Sequence, residues 1–171
     1  LEEIGIKFTI KITKKAEKYS AKLTDKEIAM FLAKQKGDFI STELAGNFLL
    51  ITADTIVVHK KQILHKPKNK CEAKRILHKI SGKEHTVISG VCLKSNTQEI
   101  IFASETKVFF NQLSKNEINE YIKKFKPFDK AGAYAIQEWI GHIGISKING
   151  SYNNVIGLPT AELYQKLKLF I

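Results

Sequence analysis

The amino-acid sequence predicts an α/β domain with a mixed β-sheet. Three observations lead there. Helical patterns alternate with strand patterns along the chain, which is how helices come to cover a sheet. Two long strand-like stretches, about 85–94 and 99–110, are separated only by Ser95-Asn96-Thr97-Gln98, the mark of an antiparallel hairpin. Three helix starts are written as caps: Thr24 with Glu27, Asn69 with Glu72, and Ser114 with Glu117.

The elements follow in order. Residues 1–5 read as the last turn of a helix stopped by Gly5. In 6–12, Ile6, Phe8, Ile10 and Ile12 alternate with Lys7, Thr9 and Lys11, a half-buried strand. Residues 13–23 are polar and loop-like. The helix after Thr24 places Ile28, Phe31, Leu32, Phe39 and Leu44 inward, with Gly46 past its end. Residues 48–52 are a continuous apolar run, a buried strand, interrupted at 53–55 and resumed at 56–58. Lys60-Lys61 form a turn, and 62–64 return with Leu64 opposite Val57. The Asn69 helix turns Ala73, Ile76, Leu77 and Ile80 inward and ends at Gly82. The Ser114 helix turns Ile118, Tyr121, Ile122 and Phe125 inward and closes at Lys126-Pro127. Residues 129–140 show no clear period, 142–148 read as a short strand, 150–159 as a loop, and Thr160 starts a terminal helix. No repeat or low-complexity linker breaks the pattern, and 171 residues fit one domain of two lobes.

Composition narrows the function. No run reaches the length of a membrane span and no secretory pattern opens the chain, so a soluble protein without a membrane partner is expected. Cys71 and Cys92 lack metal spacing and read as reduced, core or half-buried thiols, which points to the cytoplasm. The net charge of +11 suggests a polyanionic partner. A reader of nucleic acid favours arginine, yet Arg75 is the only one here, so no stable nucleic-acid complex is expected. The scattered lysines read as a solvated surface whose field still attracts nucleotide triphosphates. A basic nucleotide- or nucleic-acid-binding regulator without turnover remains the alternative.

Asp54 follows an apolar strand, where open α/β sheets place their ligand crevice. It reads as a metal ligand or general base, or as a turn-forming Asp capped by local amides. Lys66, brought back toward Asp54 by the hairpin, could hold a phosphate as a point charge or be one more surface lysine. The loops 129–134 and 150–159 carry small residues that let backbone N–H groups approach an anion or a base, and equally suit plain structural loops. Gln137 could read a base edge through its amide or simply be exposed. The histidines lack zinc spacing and no nucleophile elbow is present, so metal-assisted attack by water fits better than a protein nucleophile.

Taken jointly, ordered pieces along nearly the whole chain resemble the Maf family: LEEIGIKF at 1–8, Glu17-Lys18-Tyr19, Leu32-Ala33 with Lys36, ADTIVV at 53–58, ILHKP at 63–67, Ser81-Gly82, HTV at 85–87, SGV at 89–91, TKVFF at 106–110, residues 129–137, 150–155, and Gly157-Leu158-Pro159. The resemblance implies a nucleotide pyrophosphatase with an elongated mixed sheet, helices on both faces and two lobes around a nucleotide cleft. It implies that Asp54 is the proton acceptor and that Glu17 helps Asp54 hold a divalent metal, Mg2+ or Mn2+. Lys36 and Lys66 resemble the phosphate-binding lysines, and Thr55 and Gln137 resemble positions linked to substrate choice. Residues 134–137 and 150–152 look like the branch acting on dTTP and UTP, with Ala135 where glycine is usual. A homodimer is compatible with the resemblance. The family also begins with a strand and a Ser-x-Ser-Pro-Arg-Arg loop that this sequence does not contain. The expectation is therefore a single Maf-like domain over 1–171 whose front is absent from the sequence.

Overall fold

Each capped segment becomes a helix in the computed structural model, which describes residues 1–12 and 19–170. Helix α1 (Asp25–Ser41) opens with a reciprocal box. The Thr24 hydroxyl accepts from the Glu27 N–H, and the Glu27 carboxylate accepts from the Thr24 N–H at 2.7 Å. Asn69 caps α2 (Lys70–Ile80) by accepting from the Glu72 N–H at 3.0 Å. Ser114 and Glu117 box the start of α3 (Lys115–Phe125). These contacts satisfy N–H groups that a helix cannot pair internally.

The sheet has five strands: β1 (Leu49–His59), β2 (Gln62–Ile63), β3 (Glu84–Ser95), β4 (Glu99–Phe110) and β5 (Ile145–Asn149), in the order β2-β1-β3-β4-β5. Strands β1 and β2 pair antiparallel through Lys60 and Lys61, whose φ angles of 49° and 61° match the two-residue hairpin turn that follows strand twist. The Leu64 N–H donates to the Val57 carbonyl at 2.7 Å, the expected pairing. Strands β4 and β5 are also antiparallel, with an irregularity at Phe109/Phe110. Three shorter helices complete the α/β fold: α4 (Trp139–Gly144), α5 (Tyr152–Ile156) and α6 (Thr160–Leu167).

The chain forms two compact units, and β1, β3 and β4 contribute residues to both. The first unit holds α1, α6 and the neighbouring strand segments. Its α1 buries one stripe, Ile28, Ala29, Leu32, Ala33, Gly37 and Ile40. Gly90 lets α1 close onto β3, because a Cβ there would lie 2.1 Å from the Ala29 carbonyl oxygen. Four alternating charges seat the helix further. Lys34 bonds Glu99 at 2.7 Å and Asp38 at 3.3 Å, and Lys94 bonds Glu99 at 3.2 Å and also Asp38. The second unit has an apolar core in which Leu77 and Ile80 of α2 and Ile118, Tyr121 and Ile122 of α3 join Val108 and Ile140.

Several expectations need correction. Residues 6–12 do not form a strand; Ile10 and Ile12 are 73% and 86% exposed. Alternation makes a strand amphipathic, but only a neighbouring ladder makes it a strand, and none of these residues joins the sheet. Phe31 lies on the exposed side of α1, one step off the buried stripe. Asp54 sits inside one continuous strand rather than at its end, since nothing in Ala53-Asp54-Thr55 breaks β1. The segment expected as strand from 142 remains helical through Gly144, and β5 begins at Ile145. Within 150–159 the Ser151 side chain accepts from the Asn154 N–H and starts α5, a capped turn rather than plain loop. Cys92 is buried as expected, and burial pushes its thiol up to about 11, but Cys71 is exposed. Residues 13–18, including most of the expected loop and Glu17, lie outside the described residues.

Two outcomes follow. Gly90→Ala is expected to cost about 2–3 kcal/mol in urea unfolding, because the intruded atom is backbone and cannot rotate away. The charge network gives a pH signature. The Lys34 hydrogen bond holds Glu99 below the ordinary carboxyl range. Burial pushes Asp38 up, but Lys94 and Lys34 outweigh it and leave it low. Both carboxyls therefore stabilise the fold above their unfolded values, and that contribution disappears as pH falls below about 4. Lys34 and Lys94 are raised, chiefly by hydrogen bonds to Glu99 and Asp38 respectively, so their share fades only as pH rises past the ordinary lysine range. Lys94→Met should lower stability near neutral pH by about 1 kcal/mol, the scale of partly exposed pairs. It should also shrink the acid-side loss, as chemical unfolding across pH would show.

Candidate active site

In the first unit, α1 and β1 bring two of the expected residues together. Lys36 lies four residues after Leu32 and four before Ile40, on the buried stripe of α1. Its ammonium forms an ion pair with the Asp54 carboxylate of β1. Only 25% of the Lys36 side chain and 12% of the Asp54 side chain are exposed. The helix is held in register by Thr52, two residues before Asp54, whose hydroxyl donates to the Ala33 carbonyl at 2.7 Å. Gly37 packs closely there, since a Cβ would lie 3.1 Å from Thr52 Oγ1 and 3.3 Å from Cys92 Sγ. Thr52 and Asp54 share one face of the strand by its two-residue period.

Asp54 can also be judged as a metal ligand. Among the described residues no group of three or more His, Cys, Asp or Glu could hold an ion. Mg2+ is commonly held by one or two carboxylates with the remaining positions filled by substrate phosphates and water. A single carboxylate beside the Lys36 ammonium is compatible with that mode.

The second unit holds Thr55, Lys66 and Gln137. Thr55 and Asp54 are consecutive on β1, so their side chains leave the strand on opposite sides and meet different partners. Thr55 Oγ1 lies 2.7 Å from Ser89 Oγ of β3 and 3.3 Å from the Gly157 carbonyl. Ser89 in turn donates to the Asn154 carbonyl at 3.0 Å. Asn154 is fully buried, and its amide donates to the Val87 carbonyl at 3.1 Å and to Thr106 Oγ1 at 3.0 Å. The Thr106 hydroxyl closes the loop by accepting from the Ser151 N–H at 3.0 Å. A buried polar network of this kind fixes the 151–157 segment to three strands.

Lys66 is exposed and lies close enough to Asp129 to help draw its carboxyl down. Burial pushes Asp129 up, but Lys130, local backbone and Lys66 prevail and leave it below the ordinary range. Gln137 is exposed on a segment whose neighbours are pinned. The Tyr121 hydroxyl donates to the Glu138 carboxylate and accepts from the Ala135 N–H at 3.2 Å. The Tyr134 hydroxyl meets His85 Nε2 at 2.8 Å. Burial, with a smaller push from His59, lowers His85 to about 3, so it stays a neutral partner.

Ser89, Asn154, Tyr121 and His85 were not singled out from sequence as site residues. The available signal was a polar side chain at a core position, as with Ser89 inside the apolar run 87–93.

The chain is similar to known proteins over nearly its whole length. A family model described as Maf-like protein matches residues 1–170. A protein of Christiangramia forsetii named dTTP/UTP pyrophosphatase is 45% identical over 167 residues, covering 98% of this chain and 85% of that protein. Proteins of the same name from Parabacteroides distasonis and Flavobacterium johnsoniae are 43% and 42% identical, covering 99% of this chain and 89% and 88% of theirs.

Proposed function

The chain belongs to the Maf family, and on that premise we propose that it is a nucleoside triphosphate pyrophosphatase that converts dTTP and UTP to the monophosphate and pyrophosphate. The observation that carries the reading is the Lys36–Asp54 pair, a largely buried carboxylate held by a largely buried ammonium. Buried charge of this sort is costly to keep and is common at catalytic centres. The names of the relatives supply the substrate class.

In the proposed reaction Asp54 orients a water and accepts its proton. The water oxygen forms a bond to the α-phosphorus in line with the bridging oxygen to the β-phosphorus, which leaves on pyrophosphate. Lys36, next to Asp54, offsets charge on the phosphate oxygens, and Lys66 is assigned a phosphate-binding role as well. A divalent cation, Mg2+ or Mn2+, held by Asp54 with help from Glu17, would supply Lewis-acid polarisation of the phosphate. Thr55 and Gln137 are assigned to recognition of the base. Cys71 and Cys92 are both free, in keeping with action in the cytoplasm.

Asp54→Asn is the direct test. Pyrophosphate release from dTTP and UTP should fall by about 10²–10⁴-fold, the range for loss of a general base. The unfolding midpoint should move far less, because the amide still accepts from Lys36. Wild-type turnover by a folded Asp54→Asn protein would remove Asp54 from the mechanism. Lys36→Met should also cut turnover, and it should destabilise the fold by removing the ammonium paired with the largely buried Asp54 carboxylate.

A further inference from the structure

The hydroxyl hydrogen of Thr55 bears on which base is bound, provided that Thr55 recognises the base as proposed above. Thr55 and Ser89 own one hydroxyl hydrogen each. Three contacts compete for those two hydrogens: Thr55 with Ser89 at 2.7 Å, Thr55 with the Gly157 carbonyl at 3.3 Å, and Ser89 with the Asn154 carbonyl at 3.0 Å. In one arrangement Thr55 donates to Ser89, and Ser89 donates to the Asn154 carbonyl. In the other, Ser89 donates to Thr55, and Thr55 donates to the Gly157 carbonyl. The first has the shorter and stronger pair of contacts. In both, the only hydrogen of Thr55 is used inside the protein. Turning it outward would either leave the two hydroxyl oxygens facing each other at 2.7 Å with no hydrogen between them, or, if Ser89 turned to fill that gap, deny both carbonyls a hydroxyl donor.

The acceptors are themselves fixed. Asn154 is anchored on both Val87 and Thr106, and α5 ends at Gly157, whose N–H bonds the Asn153 and Asn154 carbonyls at 3.2 and 3.1 Å. Ser89 is fully buried and reaches no solvent, whereas Thr55 is half-buried. Thr55 Oγ1 is thus the end of the chain that can meet a ligand, and it meets it with lone pairs.

We propose that Ser89 is a positioning residue that holds Thr55 as a hydrogen-bond acceptor toward the substrate, so that the site selects a pyrimidine whose ring nitrogen N3 carries a hydrogen. A uracil or thymine ring carries such a donor, the imide N3–H. Cytosine carries a lone pair at the same atom and would face the Thr55 oxygen with like charge. Selection of this kind arises because a mismatched base leaves the protein acceptor unpaired.

The test is equilibrium binding of α,β-imido-UTP and α,β-imido-CTP, which needs no turnover. The wild type should prefer the uridine analogue. Ser89→Ala removes the shorter contact of the Thr55 hydroxyl and leaves only the 3.3 Å contact to the Gly157 carbonyl to hold its hydrogen inside. The hydrogen can then turn outward, and the preference should narrow by about tenfold, the scale of one hydrogen bond. Thr55→Val should remove the same preference and Thr55→Ser should restore it. In the Thr55→Val background, Ser89→Ala should add nothing further, because Ser89 acts only through Thr55. An unchanged uridine preference in folded Ser89→Ala overturns the proposal, as does an equal loss with and without Thr55→Val. Should Ser89→Ala fail to fold, Thr55→Val alone decides, and retention of the preference there overturns it too. Absence of pyrophosphate release from UTP by a wild type that binds the analogue would instead sink the pyrophosphatase reading.

Discussion

A carboxylate with an eighth of its surface in water keeps its charge only if something nearby compensates for lost hydration. At Asp54 that compensation is Lys36, and much of the first unit can be read as the means of holding the two together. Lys36 has to sit on the inner stripe of α1, so the helix needs a fixed rotation. The Thr24–Glu27 box sets where α1 starts, and the Thr52 hydroxyl sets its register on β1. Gly37 and Gly90 remove the side chains that would push the helix off the strands. The outer network of Lys34, Asp38, Lys94 and Glu99 then ties the opposite flank of α1 to β3 and β4. Each of these contacts is modest alone. Their common result is a cation presented at one point.

In the second unit the organising constraint is different: buried polar groups must be paired. Asn154, Thr106, Ser89 and Thr55 bond one another across three strands and one short helix, with Asn154 Oδ1 left without a hydrogen bond. Tyr134 with His85 Nε2, and Tyr121 with Glu138 and Ala135, pair around the segment bearing Gln137, with His85 Nδ1 left over. Partial loss of such a network costs more than an apolar replacement, because each orphaned group is desolvated without a partner. The neutral state of His85 follows from this setting. A charged ring there would lose its hydration and be opposed by His59.

The sequence made the capped helices legible because a cap is local: donor and acceptor lie three residues apart, and Thr24, Asn69 and Ser114 need no tertiary context. The turn at Lys60-Lys61 was legible for a related reason, since it joins two residues' worth of chain between matched apolar strands. Asp54 inside β1 was harder. Local pattern favours ending a strand at a charge, and it takes tertiary partners such as the neighbouring β3 and the Lys36 ammonium to make a mid-strand carboxylate tolerable. The stripe of α1 did hold an unused clue. Lys36 falls at the helical spacing of Leu32 and Ile40, and a cation on an apolar face calls for an anion. The residues of the polar networks were not legible, because pairing Thr55 with Ser89 or His85 with Tyr134 depends on contacts 34 and 49 residues apart.

The choice of lysine over arginine has a chemical consequence for the proposed reaction. Arg75 is the only arginine in a chain of net charge +11, so nearly all of its positive charge sits on flexible ammoniums. A guanidinium opposite Asp54 would grip the carboxylate through two parallel bonds and release it reluctantly. An ammonium is a point charge with three donors that can be shared between a carboxylate and an arriving phosphate oxygen. Lys36 can therefore stabilise Asp54 before substrate arrives and turn part of its bonding to the triphosphate afterwards. Asp54 then has lone pairs available for the attacking water at the moment the phosphate charge is already balanced. In the proposed reaction, the same ammonium that stabilises the buried carboxylate in the folded protein thus leaves it usable as a base.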